Sequence, residues 1–189
     1  MFVLVENDSI TKTLNSRRGI TIGENQYPRA IYTSWSTAER EAIGIYEVVF
    51  DNTNLKDKKY YNNTNQSFAF AGGVATASYG SATANALADV TEDGVTTPGL
   101  KTKHKEVIKR QASGYLIPTD WYVIKATDVE SYSVPSAITT YRANVRTRSN
   151  EMEVLIDACS TVDELAALYE YTGEPGAQTR PLGEWPEAV

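Results

Sequence analysis

The spacing of apolar residues changes period once along this chain, near Thr97-Pro98-Gly99, and that switch constrains the fold more than any other feature. Upstream, β-branched and aromatic residues come in short runs divided by turn residues, the mark of strands. Downstream, apolar residues recur every three to four positions, the mark of amphipathic helices. Strands first and helices second define an α+β chain. The expected organisation is a small antiparallel β module over residues 1–97, then a helical module with an extended C-terminal tail over 98–189. A length of 189 residues suits one domain or two small ones packed together.

Within the β module, Val3 and Val5 alternate before an Asn7-Asp8 turn, and Ile10, Lys12 and Leu14 follow. Ile20-Thr21-Ile22 lies between Gly19 and Gly23. Tyr27-Pro28 imposes an extended entry to Ile31-Tyr32, because proline disfavours helix in the residue before it. Ser36-Thr37-Ala38-Glu39 fits a capping box, so a short helix is expected from about Thr37 to Ile43, ending at Gly44. Ile45 to Phe50 is strongly strand-prone. Asp51 to Asp57 reads as a loop. Lys58 to Tyr61, Ser67 to Phe70 and, after Gly72-Gly73, Val74 to Tyr79 then complete a predicted antiparallel meander.

In the helical module, Leu100 to Ser113 predicts a helix ending at Gly114. Thr119-Asp120 is placed to cap a short helix carrying Trp121, Val123 and Ile124. Pro135 starts a long helix whose apolar side shows Ile138, Tyr141, Val145, Met152, Leu155, Ile156 and Cys159. Ser160 to Asp163 predicts another cap, with a last helix through Leu165 and Tyr169 to Gly173. The proline-rich tail reads as a strap with Trp185 packed down.

Composition excludes several chemistries. Hydrophobic residues make up 41% of the chain and charged residues 22%, values that favour a folded protein over a disordered one. No apolar run approaches the ~20 residues of a membrane helix, and Met1 to Val5 meets Glu6 and Asp8 without a basic flank, so it reads as a strand rather than a leader. Cys159, the one cysteine, cannot form an internal disulfide, which suggests assembly in a reducing cytoplasm. Glycosylation patterns such as Asn62-Asn63-Thr64 arise readily by chance in Asn- and Thr-rich loops. With one His and one Cys, neither a His-based triad nor a Cys/His metal site within one chain is expected. His104, among Lys101, Lys103 and Lys105, reads as part of a solvated helix face. Cys159 sits at a helical core position and reads as a structural thiol. Gly72-Gly73 lacks the Lys-Ser/Thr of a phosphate loop. No cofactor and no metal are expected, and the protein is not expected to be an enzyme.

Charge and aromatics point instead toward binding. The net charge is −6, which argues against a nucleic-acid binder. Lys101 to Arg148 holds nine basic residues against four acids, whereas Ser149 onward holds nine acids against Arg180 alone. That asymmetry suggests pairing inside the chain or docking between subunits. Tyr60-Tyr61 and Trp121-Tyr122 could serve as core or could stack on sugars and partner loops, since aromatics give large contact area at low entropy cost. Trp121 is expected as a buried anchor. Arg142 and Arg146, one turn apart, share a helix face and are, with Tyr60 and Tyr61, the candidates for a partner interface.

One pattern in the helical module is similar to a known family. Lys109-Arg110, then Thr119-Asp120-Trp121-Tyr122, then Pro135, then Tyr141-Arg142 with Arg146 resembles the C-terminal part of bacteriophage tail-fibre assembly and tail-associated proteins. The stretch runs from Lys105 to about Tyr169, roughly a third of the chain, and Trp185-Pro186-Glu187 adds to it. More weakly, Tyr27-Pro28 and Ala42-Ile43-Gly44-Ile45 resemble the β module at the front of some phage tail proteins. Cys159 to Tyr169 departs by extending the helical part beyond the family's usual short end. The resemblance implies a virion tail protein that binds other phage tail, fibre or baseplate proteins as an adaptor or structural component, and that could self-associate. Alternatives are a fibre-assembly chaperone absent from the mature virion, and a carbohydrate-binding host-recognition module. No nucleic-acid or membrane partner is expected.

Overall fold

Tight turns set the register of the strands. The computed structural model describes residues 1–14 and 18–189. Asn7-Asp8 joins paired Glu6 and Ser9 with φ of 50° and 57°, and Gly72-Gly73 joins paired Ala71 and Val74 with φ of 58° and 79°. Asp93-Gly94 repeats the arrangement between Glu92 and Val95. Positive φ at both central residues makes a turn whose twist matches that of the strands, and Asn, Asp and Gly are the residues that tolerate it.

The chain forms two units, residues 1–83 and 84–189. The first contains β1 (Phe2–Glu6), β2 (Ser9–Leu14), β3 (Ile20–Ile22), β4 (Asn25–Tyr27), α1 (Ile31–Ser34), α2 (Thr37–Glu41), β5 (Ile45–Asp51), β6 (Tyr61–Asn62), β7 (Gln66–Ala71) and β8 (Val74–Tyr79). A five-stranded sheet has the order β2-β1-β5-β8-β7, and it curls so that its outer strands β2 and β7 approach each other. Its pairs are antiparallel except β5 with β8, which run parallel. The expected meander is corrected here. The β7–β8 hairpin joins the sheet through its second strand, so β8 inserts between β5 and β7. The expected strand over Lys58–Tyr61 shrinks to β6.

β1 is buried on both faces. Phe2 and Leu4 pack with Leu14, Ile20, Ile31, Tyr32 and Ile45 on one side, while Val3 and Val5 pack with Val48, Ala75 and Ala77 on the other. The capping box of α2 forms: the Ser36 hydroxyl accepts from the Glu39 N–H at 3.3 Å, and Glu39 accepts from the Ser36 N–H at 2.7 Å. The chain then turns at Gly44, with φ of 81°, where a Cβ would lie 2.6 Å from the Val5 carbonyl oxygen. Only glycine satisfies both the conformation and the contact.

Strand β9 (Thr83–Ala84) lies at the division, and the second unit continues with the hairpin β10 (Val90–Glu92) and β11 (Val95–Thr97). It then has α3 (Leu100–Leu116), α4 (Asp120–Asp128), α5 (Ser136–Ala158) and α6 (Val162–Ala167). The division thus falls before the change of apolar period, because the segment ahead of α3 caps that helix. Leu100 and Lys101 N–H donate to the carbonyls of Ala86 and Leu87 at 2.9 and 3.0 Å, and Gly99 N–H donates to Asp89 Oδ1 at 2.8 Å. A side chain at Gly99 would overlap the Ala88 carbonyl. α3 passes through Gly114 to Leu116, and α6 stops well before Gly173, so both predicted ends are revised.

α3 and α5 pack antiparallel: Lys105 meets Asp157 at 2.8 Å, Lys109 meets Glu153 at 3.3 Å, and Tyr141 Oη donates to the Tyr115 carbonyl at 3.3 Å. Ile138, Tyr141, Val145, Met152 and Ile156 are the buried apolar positions of α5. The C-terminal tail closes over this pair. Leu182 is fully buried, and Trp185 packs on Ala112, Tyr141 and Val145 with its Nε1–H donating to Gln111 Oε1 at 3.3 Å. The Arg148 guanidinium holds the strap by donating to the carbonyls of Leu182 at 2.7 Å and Glu184 at 3.1 Å. It lies where a side chain at Gly183 would be.

Candidate functional site

The corner between α3 and α4 gathers most of the residues singled out in the helical module. Arg142 stands four after Ile138 and three before Val145, so it shares their side of α5 and points at the C-terminal end of α3. Its Nη1 donates to the Leu116 carbonyl at 3.0 Å and to Thr119 Oγ1 at 2.6 Å, and it lies 2.8 Å from Asp120 Oδ1. Thr119 Oγ1 in turn donates to the Leu116 carbonyl at 2.8 Å. Thr119 makes no side-chain cap to α4, contrary to expectation. A cation at the end of a helix satisfies carbonyls that lack intrahelical partners and suits the negative end of the dipole. Arg142 is only 9% exposed. It is a tie between α5 and the corner, and the expectation of a partner-facing Arg142 is corrected accordingly.

Arg146, one turn on, is exposed. It donates to the Arg142 carbonyl at 3.4 Å, and no carboxylate pairs with it among the described residues. It lines an open groove with Lys109, Leu116, Asp120, Ser149 and Glu153.

Trp121 is 50% exposed, so the expected buried anchor is also corrected. α4 buries none of its residues. Ile117 and Ile124, 63% and 60% exposed, stand four before and three after Trp121. Trp121 and Ile124, three apart, share one side of α4, and Ile117 lies in the turn that leads into it. The indole lies against Tyr122 with ring centroids 3.8 Å apart, and Lys125 Nζ sits 5.8 Å from the indole and 4.3 Å from the Tyr132 ring. The result is an exposed apolar ridge on α4, flanked by a cation held over aromatics.

The other candidates separate. Tyr60 is buried in the first unit, while Tyr61 is partly exposed there. His104, expected on a solvated face, is 6% exposed, and its Nδ1 lies 2.6 Å from Tyr169 Oη. The signal was present: Leu100, His104, Ile108 and Ala112 recur every four residues, and all four are buried. Cys159 is buried and donates to the Leu155 carbonyl at 3.4 Å, and burial raises its thiol pKa, which disfavours the reactive thiolate. Among the described residues no cluster of three or more His, Cys, Asp or Glu is arranged to hold a metal ion. No described helix is long and apolar enough to cross a membrane. Sequence reasoning missed Arg148 and Gln111 and read Tyr169 only as part of the last helix, because the partners of all three lie far away in the chain.

Comparison of this chain with protein-family models, with curated proteins and with solved structures finds no match.

Proposed function

We propose that this protein is a non-enzymatic bacteriophage tail component that binds other tail, fibre or baseplate proteins through the ridge of α4. The observation that carries the reading is the exposure of Trp121 and Ile124 on α4, a helix with no buried residue, together with that of Ile117 in the turn before it. An exposed apolar ridge of this kind marks a surface used in association, and aromatic anchors are enriched in such surfaces. The neighbouring Arg146 has no carboxylate partner among the described residues and suits the polar rim of an interface. The phage assignment rests on the resemblance of Lys105 to Tyr169 to tail-fibre assembly and tail-associated proteins.

The test is co-assembly. Ile117→Ser with Ile124→Ser strips two of the three exposed apolar side chains, leaving Trp121 alone, without touching a buried one. The double variant is expected to melt within a few degrees of the parent and to lose co-purification with tail proteins from phage-infected cells. Unchanged co-purification would remove α4 as the docking surface. Mass spectrometry of purified virions then separates the roles: stoichiometric presence supports an adaptor, and presence only in lysate complexes with a fibre protein supports a chaperone.

A further inference from the structure

The first unit carries a second candidate site, in the loop between β5 and β7. That loop is held by its own side chains. Asn63 Oδ1 accepts from the Lys56 N–H at 2.8 Å while its Nδ2 donates to the Lys56 carbonyl at 2.7 Å. Asn54 Nδ2 donates to the Tyr79 carbonyl at 3.0 Å, and Thr64 Oγ1 accepts from the Gly80 N–H at 2.8 Å. Bonds of this kind fix a loop before a ligand arrives, which lowers the entropy cost of binding.

The fixed loop encloses an open depression of about 470 Å³, lined by Tyr61, Tyr79, Asn62, Asn65, Gln66 and Lys58 among others. Asn54 and Asn63 spend their amides on the backbone. The side chains of Asn62, Asn65 and Gln66 make no hydrogen bond among the described residues, which leaves three amide groups with donor and acceptor available. Among the described residues no carboxylate lines the depression and Lys58 is the one charged residue of its lining, while Lys56 Nζ sits 5.9 Å from the Tyr61 ring centroid.

From this geometry we infer a binding site for a saccharide. An amide offers a donor and an acceptor side by side, which matches two neighbouring hydroxyls. Tyrosine rings supply flat apolar area for the C–H face of a pyranose. The lack of carboxylates disfavours a divalent cation, whose ligands are oxygen anions. Lys58, with Lys56 over the Tyr61 ring, is too little positive charge for a nucleic-acid backbone, which takes a row of phosphate contacts. Lys58 adds a preference for a sugar bearing a carboxylate. The site is independent of the α4 ridge.

Saturation-transfer NMR on the full chain tests this with glucose, galactose, N-acetylglucosamine and glucuronic acid at millimolar concentration. Transfer is expected to at least one, most strongly to glucuronic acid. Asn65→Ala with Gln66→Ala should weaken binding about tenfold or more, the worth of one or two lost hydrogen bonds. Asn62→Ala, on the exposed rim, gives the same readout should the double variant fail to fold, and Trp121→Ala should leave sugar binding unchanged. No transfer to any of these sugars, or binding undiminished in the amide variants, overturns the proposal.

Discussion

Arg142 and Trp121 exchange the roles their residue types suggest. Arginine is commonly a surface residue and tryptophan a core one, yet here the guanidinium is enclosed and the indole is half out. Arg142→Ala removes a charged donor from the Leu116 carbonyl, Thr119 and Asp120. Hydrogen bonds to charged groups contribute about 1.5–3 kcal/mol, and more is lost when a partner is left buried. Arg142→Ala is therefore expected to cost about 2–3 kcal/mol in urea unfolding. Trp121→Ala and Arg146→Ala should each stay within about 1 kcal/mol of the parent, as exposed substitutions do. A Trp121→Ala loss as large as that of Arg142→Ala would mean the indole supports the fold after all. The sequence showed Arg142 and Trp121 to be unusual, through their neighbours and spacing, but not which was enclosed. That depended on the direction of α4 after the turn at Ile117–Thr119, a tertiary fact with no periodic signal.

At the scale of elements, local chemistry was legible wherever a short-range rule acts. The α2 capping box, the hairpin turns at Asn7-Asp8 and Gly72-Gly73, and the start of α5 after Pro135 all follow from residues within a few positions of each other. The parallel β5–β8 pair was not legible, because sheet order depends on which strand of a hairpin finds the edge. The cap of α3 was hidden for a similar reason: Asp89 lies ten residues before Gly99, across a hairpin. That cap has a pH signature. The hydrogen bond from the Thr102 side chain, then that from the Gly99 N–H, lower the Asp89 pKa. A carboxylate with a depressed folded pKa contributes stability that is present above its unfolded value, near about 4, and is lost as pH falls through the folded value. Asp89→Asn should accordingly lower the melting temperature at neutral pH. The gap to the parent should close as the medium is acidified through that window. A gap that stays constant across the window would show that the Asp89 charge does not hold α3.

Across the whole molecule, the uneven charge resolves in part into internal pairs. Lys105 and Lys109 of α3 meet Asp157 and Glu153 of α5, and Arg180 meets Glu184 in the tail. Each unit also has an apolar cluster of its own. The clusters around Phe2 and Val3 draw only on residues 1–83, and the cluster of Ala112, Tyr141 and Val145 only on residues 84–189. A unit with its own core can open as its own cooperative block. Ile45→Ala and Met152→Ala each empty a fully buried position, one in each unit, at a cost of about 2–5 kcal/mol. Hydrogen exchange followed by mass spectrometry reads where that loss is felt. Ile45→Ala should speed exchange in β1, β5 and β8 while α3 and α5 keep parental rates, and Met152→Ala should do the reverse. Acceleration of both units by either substitution would mean that they unfold as one block. The ridge of α4 and the loop after β5 would then rest on a single shared stability, and a lesion in one unit would impair binding at the other.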